Sequence, residues 1–184
     1  AVVKHRVVIL IVALLLLVPS VMGMLATRIN YDMLTYLPED MDTVVGQNVL
    51  LDDFGKGAFS MLVVEDMPAR DVSRLKAELE KIDHVDSVIW YDSIADLSIP
   101  MEVLPEKVYN EFNSDNATIM AVFFDDSTSA DVTMDAIRAV RETAGRQCYV
   151  SGMSAIVTDL KDLCEREEPT YVALAVACAC AAMM

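Results

Sequence analysis

The chain has 184 residues, a length that accommodates one compact domain of ordinary size. Its middle carries 12 basic residues against all 29 acidic ones, a net charge of −17, while both ends are apolar. Such a charge disfavours nucleic acid and anionic lipid head groups as partners. We interpret it as a property that keeps the middle region soluble, in preference to an acidic binding site.

The N-terminal end has the composition of a membrane helix. Residues 1–6 include Lys4 and Arg6, and residues 7–26 contain no charge over about 30 Å of helix, the thickness of a hydrocarbon core. The alternative is a cleaved signal peptide, but the apolar run is long for one and Met24-Leu25-Ala26 is a poor cleavage site. We therefore predict a cytoplasmic N-terminus at 1–6, a transmembrane helix at 7–26 and an extracytoplasmic domain after it.

Residues 27–57 form a predicted linker between this helix and the domain proper. Residues 27–37 have the pattern of an extended segment. A short helix is expected over 43–54, with Asp40 or Asp42 available to cap it and a glycine to end it.

Residues 58–152 alternate between strand and helix patterns. Short apolar runs predict strands, and apolar residues repeating every three or four positions predict helices. The resulting order β-α-β-β-α-β is typical of a ferredoxin-like fold of the α+β class, with two helices on one face of an antiparallel sheet. The predicted strands are 59–64, 85–90, 118–124 and 147–151, and the predicted helices begin at Pro68 and after Ser129, a candidate cap.

The connection over residues 91–117 is long for a compact domain, a property typical of functional or mobile segments. It contains a predicted short helix over 106–112.

The C-terminal end combines two predicted helices. Residues 153–168 form an amphipathic connecting helix whose apolar side chains are Met153, Ile156, Leu160 and Leu163. Residues 169–184 resemble the start of a second transmembrane helix, with Pro169 suited to its first turn. The uncharged run of fifteen residues covers only about 22 Å, so we expect the chain to be a piece of a longer polytopic protein.

The residues needed for enzyme chemistry are not combined in any recognisable pattern. His84 lies in a predicted turn, and no nucleophile motif, phosphate-binding loop or zinc motif occurs. Asn113 to Asn116 lack the glycine and glutamate of a calcium loop, and Asp125-Asp126 is interpreted as a solvated turn. We predict no catalytic residue, no metal site and no cofactor. Whether Cys148 and Cys164 pair is left open by their spacing.

The order and spacing of several short motifs resemble the N-terminal part of transporters of the resistance-nodulation-division (RND) superfamily, particularly the MMPL branch. The motifs are Ile29-Asn30-Tyr31-Asp32, Tyr36-Leu37-Pro38, Phe54-Gly55, Val85-x-x-Val88 and Val150-Ser151-Gly152. The residues that carry this family signature, with no role assigned, are Asn30, Tyr31, Asp32, Leu37, Pro38 and Gly152.

The resemblance implies a proton-driven exporter of hydrophobic or amphipathic compounds or lipids, located in the cell membrane. It places the porter domain outside the membrane and the proton-carrying residues in later helices that this sequence does not contain. Residues 91–117 and the apolar face of the last helix would line or gate the substrate path. Partners are the lipid bilayer, the transported molecule, and further copies or accessory proteins. The alternatives are a membrane-anchored ligand-binding or sensory domain and a scaffold component.

Overall fold

The computed structural model describes residues 5–27, 31, 34–93 and 106–183. The chain forms two compact units, Ala1–Asn30 and Tyr31–Met184. Two residues of the family signature, Asn30 and Asp32, lie outside the described residues.

The first unit consists of helix α1, Arg6–Ala26. Among the described residues, only this helix is long and apolar enough to cross a membrane, with a mean hydropathy of 2.9 over Val7–Met24. The hydroxyls of Ser20 and Thr27 donate to the carbonyls of Leu16 and Gly23, so neither needs an external partner. The predicted helix is confirmed, and its insertion in a membrane remains a prediction.

The second unit is built on a five-stranded antiparallel sheet. The four longer strands lie in the order β2, β4, β1, β5, and the short strand β3 pairs with the beginning of β4. Strand β4 therefore lies beside three others, with β1 along its whole length and β2 at its far end. The strands are β1 Phe59–Glu65, β2 Val85–Ile89, β3 Asn113–Ser114, β4 Ala117–Phe124 and β5 Cys148–Ser151.

Among the described residues of this unit, five α-helices accompany the sheet. They are α2 Asp42–Asp52, α3 Ala69–Leu79, α4 Glu106–Phe112, α5 Asp131–Ala144 and α6 Met153–Met183. The mixed α+β class is therefore confirmed. Every predicted strand and helix of the domain is present within a few residues, and β3 is an additional strand that the sequence did not indicate.

One face of the sheet carries the hydrophobic core. Every second residue of β1 and β4 is buried there, together with apolar side chains of α3 and α5. The strict alternation follows from the two-residue period of a strand, because successive side chains point to opposite faces. The largest fully buried members are Leu62, Leu79, Met120, Phe124, Ile137 and Trp90.

The opposite face of the sheet is also apolar but remains partly exposed. Phe59 lies opposite Phe123 across the β1–β4 ladder, and Met61 lies opposite Ala121. Phe59 and Met61 are among the exposed large hydrophobic residues. The sheet thus has one covered and one open apolar face.

Two predicted helix starts are wrong in detail. Helix α5 begins after Ala130, not after Ser129, and α2 begins after Met41. No side chain caps either helix, because Ala130 and Met41, in extended conformation, occupy the capping positions. The residues just before α2 also differ from the expected extended segment: Leu37 donates its N–H to the Leu34 carbonyl at 3.0 Å and closes a 3₁₀ turn.

The expected position of Pro169, in the first turn of a second helix, is also wrong. Helix α6 is continuous from Met153 to Met183, with Pro169 inside it and not in the first turn of a second helix. A proline removes one backbone donor and leaves the carbonyl four residues earlier without its helical partner. That carbonyl belongs to Glu165, an exposed residue, so solvent can satisfy it and the helix continues.

Candidate functional site at the start of helix α6

Three ion pairs join α5 to the first third of α6. The Arg141 guanidinium donates to both carboxylate oxygens of Asp159, at 2.6 and 3.0 Å, the two-pronged geometry that fixes orientation best. Because the partners on α5 extend from Asp131 to Arg141, they hold α6 against rotation and sliding. The pairs are Arg141–Asp159, Arg138–Asp162 at 2.5 Å and Lys161–Asp131 at 2.6 Å, and we call them the α5–α6 clamp.

The clamp lies partly in solvent, so each pair contributes at most about 1 kcal/mol to stability. The hydrogen bond from Arg138 nevertheless holds the pKa of Asp162 below its usual value. The same bond raises the pKa of Arg138, which carries its charge throughout the physiological range. Both partners are therefore ionised wherever the protein is folded near neutral pH.

Beneath the clamp, α6 meets the domain through small side chains. Ser154, Ala155, Val157 and Thr158 are its buried residues. The Ser154 hydroxyl donates to the Phe59 carbonyl at 2.9 Å, and the Thr158 hydroxyl donates to the Ser154 carbonyl at 2.9 Å. Short side chains with satisfied hydroxyls allow a helix to approach its neighbours closely. The attachment of α6 therefore depends on close contact and charge more than on large apolar groups.

Gly152 makes the turn between β5 and α6. Its φ of 110° lies in a region that side chains with a Cβ rarely adopt, and an added Cβ would stand 3.4 Å from the Cα of Ser60. This member of the family signature therefore has a structural reason to be glycine. The turn joins the end of β5 to the start of α6.

The apolar face predicted for the last helix is largely exposed. Met153, Ile156, Leu160 and Leu163 retain between 45% and 59% of their surface. The face of α6 that meets the domain is instead the one with the buried small side chains, and Asp159 and Asp162 of the clamp pair with α5 beside it. The sequence pattern predicts that the apolar side of this helix faces the core, but in the structure that side is exposed.

A cavity of about 270 Å³ opens beside this stripe, between the start of α6, the start of β1 and the segment before α2. We call it the α6 cavity. Its apolar wall is formed by Tyr31, Leu34, Phe59, Met153 and Val157.

Tyr31 lines the α6 cavity and also interacts with residues of helix α6 that follow the clamp. Burial raises the pKa of its phenol, and a hydrogen bond with the Cys164 side chain and the negative charges of Glu165 and Glu168 act in the same direction. The phenol therefore stays protonated and acts as a neutral hydrogen-bonding group.

The signature residues are not brought together in one site. Tyr31 lines the α6 cavity and Gly152 forms the turn before α6, while Leu37 is exposed and the Pro38 carbonyl accepts the Met41 N–H at 3.1 Å. The structure thus gives Tyr31 and Gly152 each a local structural role, and it shows one turn hydrogen bond at Pro38.

The polar clusters considered for catalysis or metal binding are surface features. His84 lies in a turn at a φ of 66°, with its Nδ1 at 3.1 Å from the Asp125 carboxylate, and both side chains are exposed. Among the described residues, no group of three or more metal-ligating side chains converges. Cys148 and Cys164 do not form a disulfide, and burial raises the pKa of the Cys148 thiol, which makes it less reactive.

The predicted path segment over residues 91–117 is only partly described, because residues 94–105 lie outside the described residues. A second cavity, of about 340 Å³, lies beside its end and includes Trp90 and Asp115 in its wall. The Trp90 indole donates to the Thr118 hydroxyl at 2.9 Å, which fixes that wall from within the core.

Sequence reasoning missed the clamp, although a signal for it exists. Arg138 and Arg141 are three residues apart on one predicted helix, and Asp159 and Asp162 have the same spacing on the next. Complementary charges one turn apart on consecutive helices indicate a paired interface. Comparison with known proteins adds no name to this site: no family model and no curated protein matches the chain.

Proposed function

We propose that this chain supplies the first membrane helix, the extracytoplasmic porter domain and the beginning of the second membrane helix of a polytopic transporter of the RND superfamily, MMPL branch. The parent protein exports hydrophobic or amphipathic compounds or lipids and is driven by protons carried in other helices. In this arrangement the acidic domain lies outside the membrane, with the basic residues before α1 on the cytoplasmic side.

The observation that supports this proposal best is the continuity of α6. The helix is clamped to the sheet domain over its first third and continues without a break through Pro169 into an uncharged run at 170–183. A helix of this kind moves with the domain at one end and with the membrane at the other. Alternating access by rigid-body motion needs such a connection between the substrate-binding and membrane parts.

We also infer that the sheet domain is ferredoxin-like. The order β2, β4, β1, β5 with antiparallel neighbours supports this, as does the position of α3 and α5, each of which connects two strands that are not neighbours. The short strand β3 is then an addition that extends the hairpin leading into β4.

The transport proposal is tested in cells that express the full-length parent protein. Cells are loaded with an uncharged fluorescent dye such as Nile red, and its extrusion is followed with and without a protonophore. We expect protein-dependent extrusion that the protonophore abolishes. Extrusion that continues at the same rate after the proton gradient collapses would contradict proton coupling, and no extrusion of any hydrophobic probe would contradict export.

The role of α6 is tested by a flexible insertion that breaks the continuity of the helix. Two glycines inserted between Glu167 and Glu168 uncouple the clamped part from the apolar part, because glycine is a poor helix former. The matched control carries the same insertion beside Gly55, an exposed turn residue with open space around it. We expect the first variant to lose extrusion at normal expression and the control to keep it. Equal extrusion by both variants would show that α6 does not transmit motion.

A membrane-anchored sensory domain is the second candidate, and the α6 cavity favours it, since a ligand there would contact the helix that leads to the apolar run. A sensor would respond to its ligand without moving it across a membrane. Ligand-dependent signalling by the parent protein in the absence of extrusion would favour this alternative.

A further inference from the structure

We infer that the α6 cavity binds an uncharged amphiphile, a molecule with one hydrocarbon chain and a hydrogen-bonding head without formal charge. Its part in transport rests on the proposed function, whereas the binding itself can be measured independently.

The apolar wall of the cavity has the properties of a binding surface for a hydrocarbon chain. Phe59 and Met153 contribute to it although 49% and 56% of their surface is exposed. Exposed apolar groups around a concave site favour a ligand that removes them from water. Methionine adapts its shape to different ligands because its side chain is unbranched and flexible.

The polar part of the wall is neutral. It includes Gln47, Thr128, Ser129 and Ser154, and none of the described residues that line the cavity carries a formal charge. Gln47 is held in place by a hydrogen bond of 2.6 Å from its Nε2 to the Gly57 carbonyl. Hydroxyl and amide groups pair well with an alcohol, ester or amide head and offer no counter-ion to a charged one.

The charges near the cavity lie outside its described wall: the carboxylates of Glu165 and Glu168 act on the Tyr31 phenol, and two lysines are paired. On the α6 side, Lys161 is paired with Asp131, and next to Gly57, Lys56 is paired with Asp86. A cationic head would find no carboxylate in the described wall, and an anionic head would approach a region whose net charge is strongly negative. Either ion would lose hydration without a partner, which is costly, so the site selects an uncharged head.

The size of the cavity limits the ligand to part of one chain. At about 270 Å³ it lies just below the range of about 300–1,000 Å³ usual for small-molecule pockets. A lipid with two long chains does not fit inside it. A single-chain lipid can place its head and the adjoining chain segment there, with the rest of the chain along Ile156 and Leu160 on the exposed stripe.

The test measures binding to the full chain, held in amphipol, by displacement of the uncharged fluorophore N-phenyl-1-naphthylamine. Three competitors share a chain length and differ in the head: monodecanoylglycerol, decanoate and decyltrimethylammonium. We expect the glyceride to bind at least about tenfold more tightly than either ion. Equal affinity for all three, or tighter binding of an ion, would overturn the selectivity.

The position of the site is tested with matched variants. Phe59→Gln and Met153→Gln alter the wall at half-exposed positions, so the fold is retained, and Met153→Gln serves alone if Phe59→Gln fails to fold. The control is Met61→Gln, on the same strand and face as Phe59 but not among the lining residues, with 40% of its surface exposed. We expect about tenfold weaker glyceride binding for the wall variants and unchanged binding for the control. An equal loss in the control would move the site to the open sheet face and overturn the inference.

The two proposals fail separately in these experiments. Glyceride binding that depends on the wall, without extrusion by the parent protein, supports the site and contradicts the transport function. Extrusion by the parent protein together with no glyceride binding to this chain overturns the site and leaves the transport function standing.

Discussion

Helices α5 and α6 are neighbours that attach to the same domain in opposite ways. Helix α5 buries large apolar side chains against the sheet, among them Met134, Ile137 and Val140. Helix α6 buries only small ones and is held by the α5–α6 clamp, with its own large apolar residues exposed. The attachment of α5 is a large burial of apolar surface, whereas the attachment of α6 is a sum of weaker contacts that include ion pairs.

The difference indicates which part of the domain is fixed and which can be adjusted. Burial of apolar surface is non-directional and large, so α5 stays with the sheet whatever its charges do. Ion pairs in partial contact with solvent are weak and directional. They therefore contribute more to the orientation of α6 than to the strength of its attachment to the domain. The contacts of α6 therefore define its position without the large apolar burial that fixes α5.

The largest effect is expected from Ile137→Ala on α5. Ile137 is fully buried, and its truncation removes apolar contacts and leaves a cavity. We expect the free energy of unfolding of the full chain to fall by about 2–5 kcal/mol, measured in urea with the fluorescence of the single tryptophan, Trp90. Glu142→Ala, at an exposed position of α5, is the control and should change it by less than about 0.5 kcal/mol. A loss below about 1 kcal/mol for Ile137→Ala would contradict the apolar attachment.

Gly152→Ala tests the turn that joins β5 to α6. The substituted residue must keep a φ of 110° with its Cβ close to Ser60, so we expect a loss of about 1–3 kcal/mol in the same assay. Gly46→Ala inside α2 is the control, because nothing lies within 4 Å of the added Cβ and alanine favours a helix. It should be neutral or stabilising by up to about 1 kcal/mol. The turn would need another explanation if both substitutions behaved alike.

Asp162→Asn tests the charge dependence of the clamp. The pKa of Asp162 is lower in the folded chain than its ordinary value of 3.8, so its contribution is fully present above that value and disappears as the pH falls through the folded pKa. We expect the variant to lose about 0.2–1 kcal/mol near pH 6 and this deficit to shrink as the pH falls below 3.8, measured by urea unfolding at each pH.

The control for that comparison is Asp71→Asn, whose carboxylate lies 3.7 Å from Arg74 in an exposed pair. It should change the free energy of unfolding near pH 6 by less than about 0.5 kcal/mol. A deficit of Asp162→Asn that persists unchanged at low pH would indicate that the side chain acts through packing and not through its charge.

The smallest effect is expected from Ile156→Gln on the exposed stripe. Because 59% of this residue is exposed, we expect a change in the free energy of unfolding within about 0.5 kcal/mol. The adjacent Val157 is buried, so Val157→Gln should cost several times more under the same conditions. Similar losses at both positions would mean that the stripe packs against the domain.

The local pattern of the sequence was sufficient for most of the fold. Alternation over 59–65 and 117–124 placed strands, and the spacing of Val72, Leu75 and Leu79 placed α3, because these periods are set by backbone geometry that each segment carries by itself. Glycine at 145 ended α5 for the same local reason, with a φ of 72°.

The orientation of α6 needed the tertiary structure. Met153, Ile156, Leu160 and Leu163 form an apolar stripe that in sequence resembles a core-facing surface, yet the covered face of α6 is the one with small side chains beside the clamp. The continuity through Pro169 was likewise undetermined, since it depends on what surrounds the unpaired Glu165 carbonyl. The α6 cavity joins Tyr31, Phe59 and Met153, which are far apart in the chain.

The sequence by itself determined the apolar N-terminal helix, the acidic α+β domain and the positions of its elements. Each of these follows from composition and periodicity within a short window. Only the tertiary structure decided the face by which α6 is held, the open face of the sheet and the cavity between them. Those features depend on pairs of distant residues, and no local pattern specifies which surfaces of amphipathic elements meet.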